Sequence, residues 1–160
     1  MPSITVYSWP VRLLAYALLF GVAYAKPTHL AGRVISVHDG DTLRCETVVG
    51  NVSIRIRNID APELKQPGGI ASRDYLRSYV KKGDSVDIDS YGRDKYGRVL
   101  GNVRASDGSD VATKQVMAGW AWAYRAYLDG PNWVTLEQQA RTDKRGIWAG
   151  VPVPPWEFRK

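Results

Sequence analysis

Apolar and polar side chains alternate between Ala31 and Arg57, and this pattern constrains the fold more than any other feature. Two turn signals, Asp39-Gly40 and Gly50-Asn51, divide the stretch into three segments with a period of two. Such segments are typical of β-strands, and short turns between them make neighbouring strands antiparallel. We therefore predict three antiparallel strands that begin a small barrel or curled sheet, with Val52, Ile54 and Ile56 facing its interior.

Helical and strand-like patterns follow one another in the rest of the chain. Apolar residues at helical spacing indicate three helices, and two more segments have strand character. An aromatic-rich stretch at 120–127 is expected to be extended. Five strands and three helices predict a small α+β domain. The helices are expected near 71–80, 111–116 and 132–144, and the further strands near 86–88 and 98–103.

Residues 1–25 have the pattern of an export signal. Arg12 supplies positive charge, residues 13–22 are apolar, and Ala23-Tyr24-Ala25 matches the small-x-small cleavage pattern. The apolar run is shorter than the ~20 residues that a membrane span needs. We predict a signal peptide at 1–25 and a periplasmic or secreted protein; an uncleaved membrane anchor and a buried helix are the alternatives. One domain is expected at 26–150, followed by a Pro-rich tail at 151–160 that Trp156 and Phe158 can attach to it.

Composition excludes some classes of site. The net charge of +6 favours association with polyanions, although a mildly basic protein is often simply soluble. Cys45 is the only cysteine, so neither an internal disulfide nor a cysteine-based zinc site can form, and a buried strand position is its simplest interpretation. Two histidines are too few for a histidine-rich metal site. No helix-turn-helix, zinc-finger or glycine-rich phosphate-loop motif is present, which argues against sequence-specific reading of a duplex.

Carboxylates and guanidinium groups are concentrated between Val37 and Glu63. Like charges repel, so the carboxylates can lie together only if a cation joins them or if they take up protons. A hard cation held by oxygen ligands is the simplest interpretation, with the arginines left to face an anion. Taken singly, each feature could be a solvated turn or a surface arginine. Together they suggest chemistry on a phosphate. The charged residues concerned are Asp39, Asp41, Arg55, Arg57, Asp60 and Glu63.

Several of these motifs resemble those of the staphylococcal nuclease (thermonuclease) family, in the same order and spacing, over about 31–148. The resemblance implies a five-stranded OB-type barrel with three α-helices. The segments that carry it are Val37-His-Asp-Gly-Asp-Thr42, Ile54-Arg-Ile-Arg-Asn-Ile-Asp-Ala-Pro-Glu63 and Asp94-Lys-Tyr-Gly-Arg98, with Gly119-Trp120 and Arg145-Gly-Ile-Trp148 as later landmarks.

The resemblance also implies roles for individual residues. Calcium ligands would be Asp41, Asp60 and the backbone carbonyl of Ala61. The family often has threonine at position 61, but alanine preserves this contact because it is made by the main chain. Asp39 would be an accessory acid near the metal. The implied catalytic residues are Arg55, Glu63 and Arg98, of which the arginines would bind phosphate. The implied substrate contacts are Lys95, Tyr96, Tyr124 and Tyr127, although these aromatic residues could equally serve packing.

These roles make a coherent reaction. The cation would polarise a phosphate oxygen, Glu63 would take a proton from water or orient it, and the arginines would stabilise the growing negative charge. We expect a calcium-dependent nuclease that acts as a monomer with no obligate protein partner. Its substrate would be single-stranded or frayed DNA, or RNA, cut with low sequence specificity. The family resemblance further implies cleavage that leaves 3′-phosphate ends. Magnesium remains an alternative to calcium, because both take oxygen ligands. The alternative function is a non-catalytic OB-fold module that binds nucleic acid.

Overall fold

The computed structural model describes residues 26–129 and 132–160, without the side chain of Tyr127. The predicted signal peptide therefore lies outside the described residues. The strands are β1 Thr28–Val37, β2 Thr42–Thr47, β3 Gly50–Ile56, β4 Ile59–Asp60, β5 Ser85–Arg93, β6 Val99–Arg104 and β7 Trp122–Ala123. The helices are α1 Gly69–Tyr79, α2 Val111–Met117, α3 Trp133–Thr142 and α4 Pro155–Phe158, with 3-10 turns at Arg125–Tyr127 and Gly146–Ala149.

Five strands close into a barrel in the order β1-β2-β3-β6-β5. The β1–β2, β2–β3, β1–β5 and β5–β6 pairs are antiparallel, whereas β3 and β6 are parallel. The predicted three-strand start and the five-stranded barrel with three principal helices are thus confirmed. The short strands β4 and β7 pair with each other outside the barrel.

The interior face of the barrel follows the predicted alternation on β3 but not on β1. Val52, Ile54 and Ile56 are buried, as expected. On β1 strict alternation would place Val34 and Val37 on opposite faces, yet both are buried. The register with β2 shifts between Val34 and Ser36. This bulge inserts one residue and returns Val37 to the core, a local irregularity that the period-two pattern does not reveal.

Buried polar side chains tie the helices to the loops around the barrel. Gln115 of α2 is fully buried, and its Nε2 donates to the carbonyl oxygen of Gly40 at 2.7 Å. Ser72 of α1 donates from its hydroxyl to the carbonyl oxygen of Trp120 at 2.7 Å. Glu137 of α3 is also buried and accepts a hydrogen bond from the backbone N–H of Ala123 at 2.6 Å. These bonds hold the loop before β2, and the β4–β7 pair, at fixed positions.

Three segments differ from the predictions in detail. The second turn is formed by Val48 and Val49, so the predicted turn residues Gly50 and Asn51 instead begin β3. The stretch 120–127 forms a strand only at β7 and ends in a 3-10 turn. The tail contains the unpredicted helix α4, and Trp156 packs edge-on against Trp122 with ring centroids 6.2 Å apart. No helix within residues 26–129 and 132–160 is both long and apolar enough to cross a membrane.

Candidate active site

A pocket of about 300 Å³ brings together residues from five parts of the chain. They come from the β1–β2 loop, β3, β4 with the segment after it, the β5–β6 turn, and the residue after α4. The lining residues are Asp39, Asp41, Arg55, Asp60, Ala61, Pro62, Glu63, Tyr96, Arg98 and Arg159. All predicted metal ligands and catalytic residues therefore line one pocket, together with the predicted substrate contact Tyr96.

Two carboxylates converge on one guanidinium nitrogen at the base of this site. Nη2 of Arg55 lies 3.2 Å from Oδ2 of Asp41 and 3.1 Å from Oδ1 of Asp60. Nη1 of the same arginine donates to the backbone carbonyl oxygens of Ile56 at 2.6 Å and Ile59 at 2.9 Å. The Arg55 side chain is only 13% exposed. A cationic atom thus already lies between the two carboxylates that were predicted to bind a metal.

The loop that carries Asp41 is fixed by its own hydrogen bonds and by a close approach to α1. Oδ2 of Asp41 accepts from the backbone N–H of Ala61 at 2.7 Å, which joins the loop to the segment after β4. The backbone N–H of Asp41 donates to Oδ1 of Asp39 at 3.0 Å. A Cβ at Gly40 would lie 1.9 Å from Oγ of Ser72. Glycine is therefore required here for space, and its small size allows the loop to reach Ala61.

Two carboxylates of this cluster, those of Asp39 and Asp60, have pKa values above the usual value for aspartate. Burial, with the nearby charge of Asp41 as the second cause, raises the pKa of Asp39 to about 7. Burial and Asp41 also raise the pKa of Asp60 to about 6, against the opposing effects of Arg55 and Arg159. The arginines therefore do not fully offset the repulsion and desolvation of the acids. A further cation would favour their ionised forms.

The donor set fits a hard cation such as calcium. Within residues 26–129 and 132–160, no group of three or more histidine, cysteine, aspartate or glutamate side chains is arranged to hold a metal ion. The predicted set differs because it has two carboxylates, from Asp41 and Asp60, and a main-chain carbonyl from Ala61. These are hard oxygen donors of the kind that calcium prefers. They would supply part of its shell of about 6–8 ligands, leaving positions for water and substrate oxygens.

The β5–β6 turn presents Arg98 and Tyr96 to the same pocket. Asp94 organises this turn, because its Oδ1 accepts from the backbone N–H groups of Tyr96 and Arg98, both at 2.9 Å. Its Oδ2 accepts from Nε of Arg98 at 2.8 Å. The Arg98 guanidinium also lies over the Tyr96 ring, 5.5 Å from its centroid. One aspartate thus fixes the direction of a pocket arginine, while Tyr96 stays 72% exposed.

Two of the other predicted substrate contacts, Lys95 and Tyr124, do not line this pocket. Lys95 is exposed, with its Nζ 5.1 Å from the Tyr96 ring centroid. Tyr124 packs against Trp156 with ring centroids 6.4 Å apart. The side chain of Tyr127 lies outside the described residues. Nucleic-acid contact by these three residues stays a prediction.

Arg159 is a pocket residue that the sequence analysis missed. Its Nη2 pairs with Oδ2 of Asp60, and its Nε lies 3.1 Å from Oε1 of Glu63. Asp60 and Arg159 are 99 positions apart in the chain. The aromatic residues of the tail suggested attachment to the domain, but no linear pattern indicates where the following arginine would point.

Comparison with known proteins gives a consistent set of relatives. The profile of the staphylococcal nuclease homologue family matches residues 53–150. An uncharacterised endonuclease of Escherichia coli is 41% identical over 155 residues, which cover 96% of this chain and 92% of that protein. An uncharacterised endonuclease of Haemophilus influenzae is 34% identical over 151 residues, or 92% of this chain and 82% of that protein. The probable staphylococcal-like nuclease CAN1 of Oryza sativa subsp. japonica is 36% identical over 116 residues, 72% of this chain and 34% of the rice protein.

Proposed function

Since the chain belongs to the staphylococcal nuclease homologue family, whose members hydrolyse phosphodiester bonds, we propose that it is a calcium-dependent nuclease that cleaves DNA and RNA with low sequence specificity. The observation that carries this proposal is the convergence of the Asp41 and Asp60 carboxylates on one cationic atom, in a pocket that also contains Glu63 and Arg98. Hard anionic donors beside guanidinium groups suit a phosphate bound next to a divalent cation.

The proposed roles follow from what each side chain contacts. Bound calcium would supply charge that polarises a phosphate oxygen. Glu63 is 43% exposed at the pocket, so its carboxylate can reach a water molecule and accept its proton or orient it. Arg98 uses Nε for Asp94, which leaves its two Nη groups for a phosphate. The guanidinium group of Arg55 donates to two backbone carbonyl oxygens, so its position is fixed before substrate binds.

The substrate proposal rests on the absence of base-reading motifs in the sequence and on Tyr96. An exposed tyrosine beside a phosphate site can stack on any unpaired base, which favours single-stranded or frayed nucleic acid over a fully stacked duplex. The family resemblance adds cleavage that leaves 3′-phosphate ends. We further propose that the enzyme acts as a monomer with no obligate protein partner.

A release assay tests this proposal. Purified residues 26–160 would be incubated with denatured DNA or with RNA in calcium or in chelator, beside Glu63→Gln and the matched control Glu46→Gln on an exposed part of β2. We expect calcium-dependent release of acid-soluble nucleotides that Glu63→Gln lowers at least about a hundredfold, within the usual range for general-base loss, and that Glu46→Gln leaves unchanged. Product strands should be extended by a polymerase only after phosphatase treatment. Binding without release would instead indicate the non-catalytic module.

We also propose that the protein is exported, on the basis of the signal pattern at 1–25. Mass spectrometry of the protein recovered from the periplasm or medium should find Lys26 as the first residue. A chain that begins at Met1 in the membrane fraction would instead support the anchored alternative.

A further inference from the structure

The segment after residue 150 is attached to the domain at several points, and it carries an arginine into the pocket. Pro155 is buried, and Trp156 packs on Trp122. Nε2 of Gln66 donates to the backbone carbonyl of Val153. The short helix α4 then brings Arg159 to the site. The position of this arginine is therefore determined by packing of the tail.

The guanidinium of Arg159 joins two carboxylates that have different proposed roles. Nη2 pairs with Asp60, a proposed calcium ligand, and Nε lies 3.1 Å from Oε1 of Glu63, the proposed base. Nε also lies 3.1 Å from the backbone carbonyl oxygen of Pro155, so the side chain is braced by its own helix. In the part of the chain that the structure describes, Glu63 forms no other ion pair. The side chain of Arg159 lines the pocket and is 45% exposed.

We propose that Arg159 is a positioning residue of the active site, which orients the Glu63 carboxylate and competes with calcium for the carboxylate of Asp60. This inference rests on the proposed nuclease function. A half-buried glutamate without a partner would sample several rotamers, and only some of them would place its carboxylate beside a bound phosphate. The ion pair selects one of them before substrate arrives.

The contact of Arg159 with Asp60 should lower the affinity of the site for calcium, whereas its contact with Glu63 favours catalysis. A positive group on Asp60 repels a second cation and engages one of its ligand oxygens. Removal of Arg159 should therefore weaken catalysis while it strengthens calcium binding. Loss of the tail's attachment alone would have a different effect. It would displace the pocket residues and so lower both the rate of catalysis and the affinity for calcium.

The test compares Arg159→Ala and Arg159→Lys with Lys160→Ala, a neighbouring exposed cation, as the matched control. For each variant, kcat and KM are measured on a short single-stranded substrate at saturating calcium. Calcium affinity is measured by titration calorimetry without substrate, and Tm is measured in chelator. We expect Arg159→Ala to lower kcat at least about tenfold with KM changed less than about threefold, and to tighten calcium binding at least about threefold. Arg159→Lys keeps the positive charge but lacks the planar guanidinium donors. Its kcat should lie between those of Arg159→Ala and the wild type, and its calcium affinity should equal that of the wild type.

Distinct results would overturn the inference. A kcat for Arg159→Ala within about twofold of the wild-type value would show that Arg159 does not position Glu63 for catalysis. Lower kcat together with weaker calcium binding and a lower Tm would assign Arg159 only to attachment of the tail. A wild-type protein that fails to cleave in calcium would reject the proposed function itself, whereas a cleaving wild type with an unaffected Arg159→Ala variant rejects the inference alone.

Discussion

Replacement of Arg55 by alanine should destabilise the calcium-free protein much more than the calcium-bound protein. The Arg55 side chain is 13% exposed and lies between the carboxylates of Asp41 and Asp60, which are 8% and 4% exposed. Its removal leaves two buried carboxylates without their shared cation. A divalent cation at the same carboxylates would compensate for this loss, so the effect of the substitution should depend on calcium.

The contacts of Arg55 set the expected magnitude. Removal of one partner from a buried ion pair costs about 3–5 kcal/mol, because the remaining charge is left uncompensated. Loss of the hydrogen bonds to the carbonyls of Ile56 and Ile59 adds to this, although water entering the space can replace them in part. We therefore expect a loss of about 3–5 kcal/mol in chelator and about 1–3 kcal/mol in saturating calcium, where chiefly the carbonyl bonds are missing.

Urea unfolding in chelator and in calcium measures both values. Arg57→Ala, at the position just after the end of β3, is the matched control, since Arg57 pairs with Asp129 and stacks on Tyr91, away from the carboxylate cluster. It should lose the same stability in both conditions. If Arg55→Ala fails to fold in chelator, Arg55→Lys, which keeps one charge, supplies the comparison. Equal destabilisation with and without calcium in the Arg55 variants would refute cation binding at Asp41 and Asp60.

Three further predictions concern the loop, the acids and the phosphate site. Gly40→Ala should cost about 1–3 kcal/mol in urea unfolding through overpacking against Ser72, and Ser72→Ala should recover part of this loss by removing the hydroxyl that the new methyl group meets. The pKa values of Asp39 and Asp60 are raised from 3.8 to about 7 and about 6, so the folded protein binds these protons more tightly than the unfolded chain. The stability of the metal-free protein should therefore fall as the pH rises from about 4 to about 7, and Asp39→Asn should flatten that dependence in unfolding measured in chelator. Arg98→Lys should lower turnover at least about tenfold, because lysine cannot present two parallel donors, with calcium affinity in calorimetry unchanged.

The barrel could be predicted because its strands obey local rules. Alternation on β3 depends on side-chain burial within a few residues, and it was found. The turn before β3 lies two residues earlier than the predicted Gly50-Asn51, because Val48 and Val49 form it and Gly50 begins the strand. The bulge on β1 could not be predicted, because it depends on the register with β2. Helix α4 was missed for a related reason: four residues carry little helical periodicity, and its place depends on packing of Trp156 on Trp122.

The candidate site, like the fold, could be predicted from the sequence only in part. The types and order of Asp41, Asp60 and Glu63 indicated a cation site in the sequence, and the family resemblance supplied their roles. The convergence of Asp41 and Asp60 on Arg55 depends on closure of the barrel and on the close approach at Gly40, which are tertiary effects. Arg159 could not be assigned, because nothing local to a surface arginine indicates a carboxylate far away in the chain.

The most direct test of the central claim is a pair of calcium titrations on one preparation, one following substrate cleavage and the other calcium binding by calorimetry. For the wild type, the two midpoints should agree within about threefold, measured with substrate below its KM. For Asp41→Asn, both should move to at least about tenfold higher calcium, since a charged ligand is lost, while the surface control Asp129→Asn should match the wild type. Cleavage that continues in chelator, or an Asp41→Asn variant with the calcium dependence of the wild type, would contradict a calcium-dependent nuclease site at Asp41.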